Sequence, residues 1–380
     1  MTPLQALIEE AEVDRVLQIC NACRYCEGFC AVFPAMTRRL DFNHADIHYL
    51  ANLCHNCGAC LHACQYAAPH EFAVNVPVAL SRVRAKTYAD HAWPPVMSGF
   101  YQAHGLTLSL AIATALALVL MWAALLNGTL LQGTIFAGTP SRNFYDVFPH
   151  GVMVGLFLPV FVFAMFAMGM GVLRFWRGAA PGAITAFSLK EAVGDALTLK
   201  YLDGGHGQGC NNDDDAWTLW RRRWHHAVFY GFALCFLATT TGTIYHYALR
   251  LPAPYDWLTL PKLLGTLGGV LMCLGCIGLW RLHSRRHTAH VDGHQGSIDQ
   301  GFIALLFIVA STGLALALMR HSAVMPLLLC LHLGSVMAFF VTAPYSKMAH
   351  GAYRCAALLK WAIERRQPSQ PSHSRLKSEG

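Results

Sequence analysis

Charged residues are scarce in this chain. Lysine, arginine, aspartate and glutamate together make up 13% of its 380 residues, whereas 55% are hydrophobic. Because a soluble globular protein carries about 25% charged residues, the composition is typical of a membrane protein with one polar domain attached. The net charge of +7 does not indicate nucleic-acid binding, because the basic residues stand beside apolar runs.

The first residues lack the features of a secretory signal. Met1 to Arg15 holds four acidic residues and has neither a basic start nor an apolar stretch. Disulfide frameworks need an oxidising compartment, so we expect the cysteines to serve as thiol ligands in a reducing compartment.

Eight of the 14 cysteines form two copies of one motif. The spacing C-x2-C-x2-C-x3-C is that of proteins with two [4Fe–4S] clusters, in which the fourth cysteine of each run binds the other cluster. Zinc sites usually take cysteines as separated C-x2-C pairs. We therefore predict two [4Fe–4S] clusters. The expected ligands are Cys20, Cys23, Cys26 and Cys64 for the first cluster and Cys54, Cys57, Cys60 and Cys30 for the second.

The segment between the two motifs favours helices. Ala31 to Leu53 lacks the Val/Ile alternation of a strand, and Asn43 is a suitable N-cap for a helix over His44 to Leu53. The proline that usually follows the fourth cysteine is displaced to Pro34 and Pro69. We predict an all-α fold in which residues 1–90 form a helical dicluster ferredoxin-like domain.

Six uncharged stretches approach or exceed the length of about 20 residues that spans a bilayer. They leave no polar face that could cover buried core helices, so residues 99–360 are predicted to form a six-helix transmembrane bundle. The predicted spans are 104–126, 150–174, 224–249, 261–282, 300–320 and 324–349. Residues 175–223 are predicted to form a loop that acts either as a docking surface or as a solvated linker. The polar tail 367–380 is expected to be disordered.

The loops differ in positive charge, and an excess of lysine and arginine marks the cytoplasmic side. One side carries Arg82, Arg84, Lys86, Arg174, Arg177, Lys190, Lys200, Arg221, Arg222, Arg223, Arg281, Arg285, Arg286, Lys347, Arg354, Lys360, Arg365 and Arg366, and the other carries Arg142, Arg250, Lys262 and Arg320. We therefore expect a multi-pass protein in the bacterial inner membrane, with both termini and the cluster domain in the cytoplasm.

Histidines at the ends of the spans suggest a second cofactor, because intramembrane ionisable residues are costly and usually functional. The third and sixth spans run antiparallel, so His225 or His226 shares a depth with His350, and His246 shares one with His332. His332 and His350 are separated by about five turns of one continuous helix and would share a face. Neutral imidazoles at two depths suit two b-type haems, and interfacial histidines are the alternative. His104 and His150 are reserve ligands.

The segment Leu331 to Tyr353 is similar to the last haem-bearing helix of the respiratory nitrate reductase gamma subunit, with His332 and His350 at its ligand positions. The chain from Val16 to Trp361, including the run RRRWHHAVFYGFALCF, resembles the tricarballylate utilisation protein B family, also called the CitB type. That resemblance implies electron transfer. It also implies that a soluble FAD-dependent dehydrogenase oxidises tricarballylate, and that the membrane protein reoxidises the flavin and passes the electrons to quinone.

Two other functions remain open. The chain could be an iron–sulfur membrane anchor without haem, or a transporter with a regulatory cluster domain, although transporters usually contain internal repeats and none is evident. The sequence contains no recognisable nucleophile–base pair or catalytic metal triad. We therefore expect a redox subunit whose substrate chemistry takes place in its partner.

Overall fold

The structure is a computed structural model that describes residues 3–126, 143–180, 182–290 and 292–368. These residues are helical apart from turns, loops and isolated bridges such as the one between Cys210 and Thr218. The predicted all-α fold is confirmed. The tail beyond residue 368 lies outside the described residues, and so does Arg142.

The N-terminal domain begins with five helices. They are α1 (Pro3–Cys23), α2 (Val32–Met36), α3 (His44–Leu53), α4 (Ala59–His62) and α5 (Val76–His91). Asn43 caps α3 as its side chain predicts, accepting a hydrogen bond from the Asp46 N–H at 2.9 Å. Apolar side chains of α1, α3 and α5 form a shared core around Leu17, Leu50 and Leu80. This core holds the two cysteine runs next to each other.

The membrane part contains α6 (Pro95–Leu126), α7 (His150–Gly178), α8 (Ala186–Leu197), α9 (Trp220–Tyr247), α10 (Leu260–Ser284), α11 (Gly293–Leu318) and α12 (Met325–Thr342). All of these except the short α8 are long and apolar enough to cross a membrane. Their outer surfaces expose large apolar side chains such as Leu158, Val162 and Phe236, as expected of a surface that faces lipid. The chain is therefore a multi-pass membrane protein.

The last span is shorter than predicted. α12 ends at Thr342, a turn follows, and a new helix, α13 (Ala349–Glu364), begins. Pro344 lies in that turn; proline has no N–H to donate and its ring obstructs the preceding helical turn. The continuous helix that was expected to carry both His332 and His350 is therefore not formed, and His350 stands in the first turn of α13.

α13 returns to the N-terminal domain and completes its core. Tyr353, Ala357 and Trp361 belong to the same buried cluster as Leu17 and Leu50. The predicted domain of residues 1–90 therefore omits a helix that packs in its core. Because α13 follows α12 after a short turn, it holds the cluster domain against one end of the membrane bundle.

Candidate iron–sulfur and haem sites

The eight motif cysteines line two adjoining pockets. One is lined by Cys30, Cys54, Cys57 and Cys60, and the other by Cys20, Cys23, Cys26 and Cys64. The fourth cysteine of each run thus lies in the pocket of the other run, which is the crossed arrangement that the motif predicts. Phe33, Cys60 and Val76 line both pockets, so two bound clusters would be neighbours.

Burial favours the protonated form of four of the pocket thiols. Burial raises the pKa of Cys20 and of Cys26 to about 12 and raises the pKa of Cys30 and Cys60 above the usual range. Iron requires the thiolate form, so these sites would release protons when they bind metal. Four convergent sulfur donors in each pocket fit a [4Fe–4S] cluster.

The two pockets differ in access. The pocket of Cys20 opens to the surface, where the Tyr25 ring on its rim is 68% exposed. The residue Cys54 in the other pocket is only 7% exposed, and its loop is hydrogen-bonded to Arg221 and Arg286 at the end of the membrane helices. The first pocket is therefore open at the surface, whereas the second lies beside the end of the membrane part.

Four arginines surround the second cysteine loop. The Arg84 guanidinium donates to the Cys54 carbonyl at 2.6 Å, and Arg354 donates to the same oxygen. Arg221 donates to the Asn56 carbonyl at 2.8 Å, and Arg286 donates to the Asn56 side-chain oxygen at 2.8 Å. Since Arg221, Arg286 and Arg354 lie on or beside α9, α10 and α13, these bonds fasten the second loop to the end of the bundle.

These arginines create an excess of positive charge. Burial and the neighbouring Arg221 lower the pKa of Arg286 to about 9, and burial and Arg84 lower the pKa of Arg354 to about 10. A set of buried cations is stabilised by an anion at its centre. A cluster held by four thiolates carries negative charge, so this electrostatic environment fits it.

The loop after α8 also packs on the cysteine runs. The Phe29 ring contacts His206 and Trp217 edge to face, with centroids 5.9 and 6.0 Å apart. Buried Cys210 packs beside Cys57, and this neighbour lowers the pKa of Cys57 despite burial. The choice between docking and a solvated linker is thus resolved for this segment, because it covers the cluster domain of its own chain.

Gly205 allows this close approach. Its φ is +82°, and a Cβ at this position would lie 1.9 Å from the carbonyl oxygen of Gly28 in the first cysteine run. Gly207 also has positive φ, at +80°, but a Cβ there would meet nothing within 4 Å. Substitutions at these two glycines therefore distinguish the cost of a steric clash from the cost of a left-handed backbone conformation.

We predict that Gly205→Ala undocks this loop, because it adds a clash to the cost of about 1–2 kcal/mol for a left-handed alanine. Gly207→Ala is the matched control and should incur only that conformational cost. Hydrogen exchange of the Gly28 segment measures the difference. Equal exchange rates in the two variants would contradict the close packing.

Two of the predicted haem ligands meet at the end of the bundle that adjoins the N-terminal domain. The His225 and His350 rings have centroids 5.9 Å apart and planes inclined by 74°. His350 Nδ1 is bound to the Lys347 carbonyl, which leaves its Nε2 as the available ligand atom. His225 Nδ1 is buried and has no hydrogen-bond partner among the described residues. This pair fits a bis-histidine haem.

The outer histidines are arranged differently. His246 stacks on His150 with ring centroids 4.0 Å apart and planes inclined by 6°, and stacked faces leave no room for an iron between them. His332 Nδ1 lies 3.2 Å from Thr312 Oγ1 on α11. Among the described rings, His246 and His332 are not in contact. The expected outer pair is therefore not formed in the structure.

The remaining candidates lie elsewhere. His226 packs beside Tyr230, with ring centroids 5.6 Å apart. The side chain of His104, a reserve ligand, lies outside the described residues.

Comparison with known proteins covers most of the chain. A family model described as citrate utilization protein B matches residues 101–371, and one described as its Fer4-like domain matches residues 13–90. The chain belongs to the citrate utilization protein B family. A protein of that name from Escherichia coli is 54% identical over 361 residues, which are 95% of this chain and 94% of the relative. No solved structure matches the chain.

Membership of the citrate utilization protein B family bears directly on the first site. The Fer4-like domain match contains all eight motif cysteines, and a cysteine-rich domain of this kind indicates iron–sulfur clusters. The match to the membrane part includes His225 and His350.

Sequence reasoning missed two histidines beside the second pocket. His55 lines this pocket and lies near His225 and His350, and its buried Nε2 has no hydrogen-bond partner among the described residues. His290 is fully buried against Gly58, and a Cβ added to Gly58 would lie 2.5 Å from the His290 ring. The position of His55 directly after Cys54 was an available signal, whereas no spacing in the sequence indicated His290.

Proposed function

We propose that this member of the citrate utilization protein B family is a membrane-bound electron-transfer protein. It reoxidises a reduced soluble FAD-dependent dehydrogenase and delivers the electrons to quinone in the bacterial inner membrane. The observation that carries the proposal is the unequal placement of the two four-thiol pockets. One opens to the surface beside Tyr25, and the other is formed by the cysteine loop that Arg221 and Arg286 bind at the end of the membrane helices.

The chain supplies the ligands and the surroundings for this transfer. A [4Fe–4S] cluster, when bound, takes up and releases single electrons at a potential set by net charge, hydrogen bonds and exposure. Arg84, Arg221, Arg286 and Arg354 stabilise negative charge at the second pocket. The buried cations would make the second site easier to reduce than the exposed first site, which favours transfer toward the membrane.

The inner histidine pair extends the proposed path into the bilayer. His225 and His350 would hold a b-type haem, and His55 lies between this pair and the second pocket. The cytoplasmic placement of the cluster domain is supported by the basic residues at this end of the bundle, such as Arg221 and Arg286.

The haem proposal predicts that His225→Ala and His350→Ala each remove the α-band of the dithionite-reduced protein. His226→Ala is the matched control, because His226 is the next residue on the same helix and lies outside the pair. Purified protein with iron but no such band would favour a haem-free anchor. Retention of the band in both variants would refute the ligand assignment.

The ratio of haem to protein addresses the outer histidines. The inner pair alone predicts one haem per chain. A ratio of two haems per chain would mean that His246 is a haem ligand, together with His332 or His150. The pyridine haemochrome assay on purified protein measures this ratio.

The substrate of the partner dehydrogenase is proposed from the similarity of this chain to known proteins. The Escherichia coli relative is named for citrate utilization, and the sequence resembles proteins of tricarballylate utilisation, so we propose that the partner dehydrogenase oxidises a tricarboxylate such as tricarballylate. The test is reduction of a quinone by the reduced partner in vesicles that contain this protein. Uptake of the tricarboxylate without quinone reduction would instead favour a transporter.

A further inference from the structure

Three metal-ligating side chains converge on the N-terminal domain, away from the cysteine pockets. Glu10 on α1 faces His44 and His48, which are four residues apart on α3 and therefore share a face. One ligand atom from each residue lies within 4.8 Å of the other two. Glu10 Oε2 is 2.9 Å from His44 Nδ1, and Glu10 Oε1 is 3.4 Å from His48 Nε2.

A second layer of hydrogen bonds orients His48. Its Nδ1 lies 2.8 Å from Thr87 Oγ1, and the Thr87 hydroxyl donates to the Val83 carbonyl at 3.0 Å. The Thr87 oxygen therefore accepts from Nδ1–H, which leaves a lone pair on Nε2. That lone pair faces a carboxylate oxygen, an arrangement that is repulsive unless a cation lies between them. Ligating histidines typically donate their other N–H in this way.

The protonation states suit a metal at neutral pH. Burial lowers the pKa of His48 to about 3, so its ring is neutral. Burial opposes ionisation of Glu10, but hydrogen bonds from Lys86 and His44 hold its pKa at about 2. A metal requires neutral imidazole and ionised carboxylate, and His48 and Glu10 meet these two requirements at neutral pH.

Lys86 is the competitor for this position. Its ammonium is paired with Glu10 Oε1, and it also lies 3.6 Å from Asp90 on the next turn of α5. A metal ion would displace the ammonium from Glu10, and Lys86 would keep Asp90 as its partner. His44 is 59% exposed at its side chain, so an ion can enter from solvent and retain water in a further coordination position.

We propose that Glu10, His44 and His48 form a binding site for a divalent transition metal of the Zn²⁺ class. Two imidazoles and one carboxylate are ligands that zinc accepts. The ion would join α1 to α3 beside α5 and so brace the domain that carries the cysteines. The site is independent of the proposed electron transfer.

Equilibrium dialysis of the full-length, cluster-loaded protein against Zn²⁺ tests this site, with iron measured in the same samples to show that the clusters are intact. Wild type should bind one zinc that His44→Ala and His48→Ala lose. Thr87→Val should weaken binding by about 10–100-fold, as for other second-layer partners of ligating histidines. The matched control, His70→Ala, changes a histidine elsewhere in the domain and should bind like wild type.

The Lys86→Gln variant best distinguishes a metal site from a purely structural ion pair. A metal site predicts tighter zinc binding, because the competing cation is gone, whereas a purely structural ion pair predicts no zinc binding. The proposal is overturned if wild type and His44→Ala bind equal zinc, or if Lys86→Gln binds no more tightly than wild type. If His48→Ala loses iron and fails to fold, Thr87→Val and Lys86→Gln still decide the question.

Discussion

Replacing Cys20 and Cys64 together with serine is expected to leave about half of the iron, whereas replacing Cys20 and Cys30 together is expected to leave almost none. The reason is the crossed arrangement of the two pockets. Cys20 and Cys64 line the same pocket, whereas Cys30 lines the pocket of Cys54. The first double variant thus damages one site and the second damages both.

Iron and acid-labile sulfide analysis of the purified variants, with electron paramagnetic resonance of the reduced samples, measures the outcome. Cys273→Ser with Cys355→Ser is the matched control, because these two cysteines lie outside the motifs and both pockets. If each run bound its own cluster, the results would be reversed, and Cys20 with Cys30 would be the milder pair.

Replacing Glu364 with alanine is expected to destabilise the cluster domain by about 3–5 kcal/mol, the usual cost of leaving buried charge without its partner. The Glu364 carboxylate lies 2.5 Å from the Arg39 guanidinium and 3.5 Å from the Lys360 ammonium, and it accepts from the Tyr49 hydroxyl at 3.1 Å. Arg39 and Lys360 are both buried. Lys360 would lose its acidic partner without gaining water, and Arg39 would keep only Asp46.

The matched control is Glu12→Ala. Glu12 pairs with Arg15 at 2.7 Å, but both side chains are about two-fifths exposed, and pairs of this kind contribute about 0–1 kcal/mol. Denaturant titration in detergent, followed by loss of the cluster absorbance, compares the two variants. Equal midpoints for Glu364→Ala and Glu12→Ala would mean that α13 does not stabilise the cluster domain.

Local signals in the sequence predicted the cysteine motifs, the start of α3 and the six candidate spans. The spacing of the cysteines predicted two clusters, and the four cysteines of each predicted set line a common pocket. Asn43 indicated the start of α3, because an N-cap acts on amides only two or three residues away. The six spans followed from the length and composition of continuous segments.

The pairing of the candidate haem ligands was harder to predict from local signals in the sequence. Depth along two helices placed His225 or His226 near His350, and the structure brings the rings of His225 and His350 together. The same argument placed His246 near His332, but His246 meets His150. Helix rise determines depth, whereas the rotation of each helix about its axis depends on packing with its neighbours. Depth alone therefore could not select the partner.

The sequence by itself determined the fold class, the cysteine motifs and the number of candidate spans, because each of these depends on residues close together in the chain. The tertiary structure alone decided that α13 packs into the N-terminal core, that the loop carrying Gly205 covers the first cysteine run, and that arginines from three later segments surround the second. Arg354 and Cys54 are 300 positions apart. Contacts over such distances arise only when separate elements pack, and no local pattern encodes them.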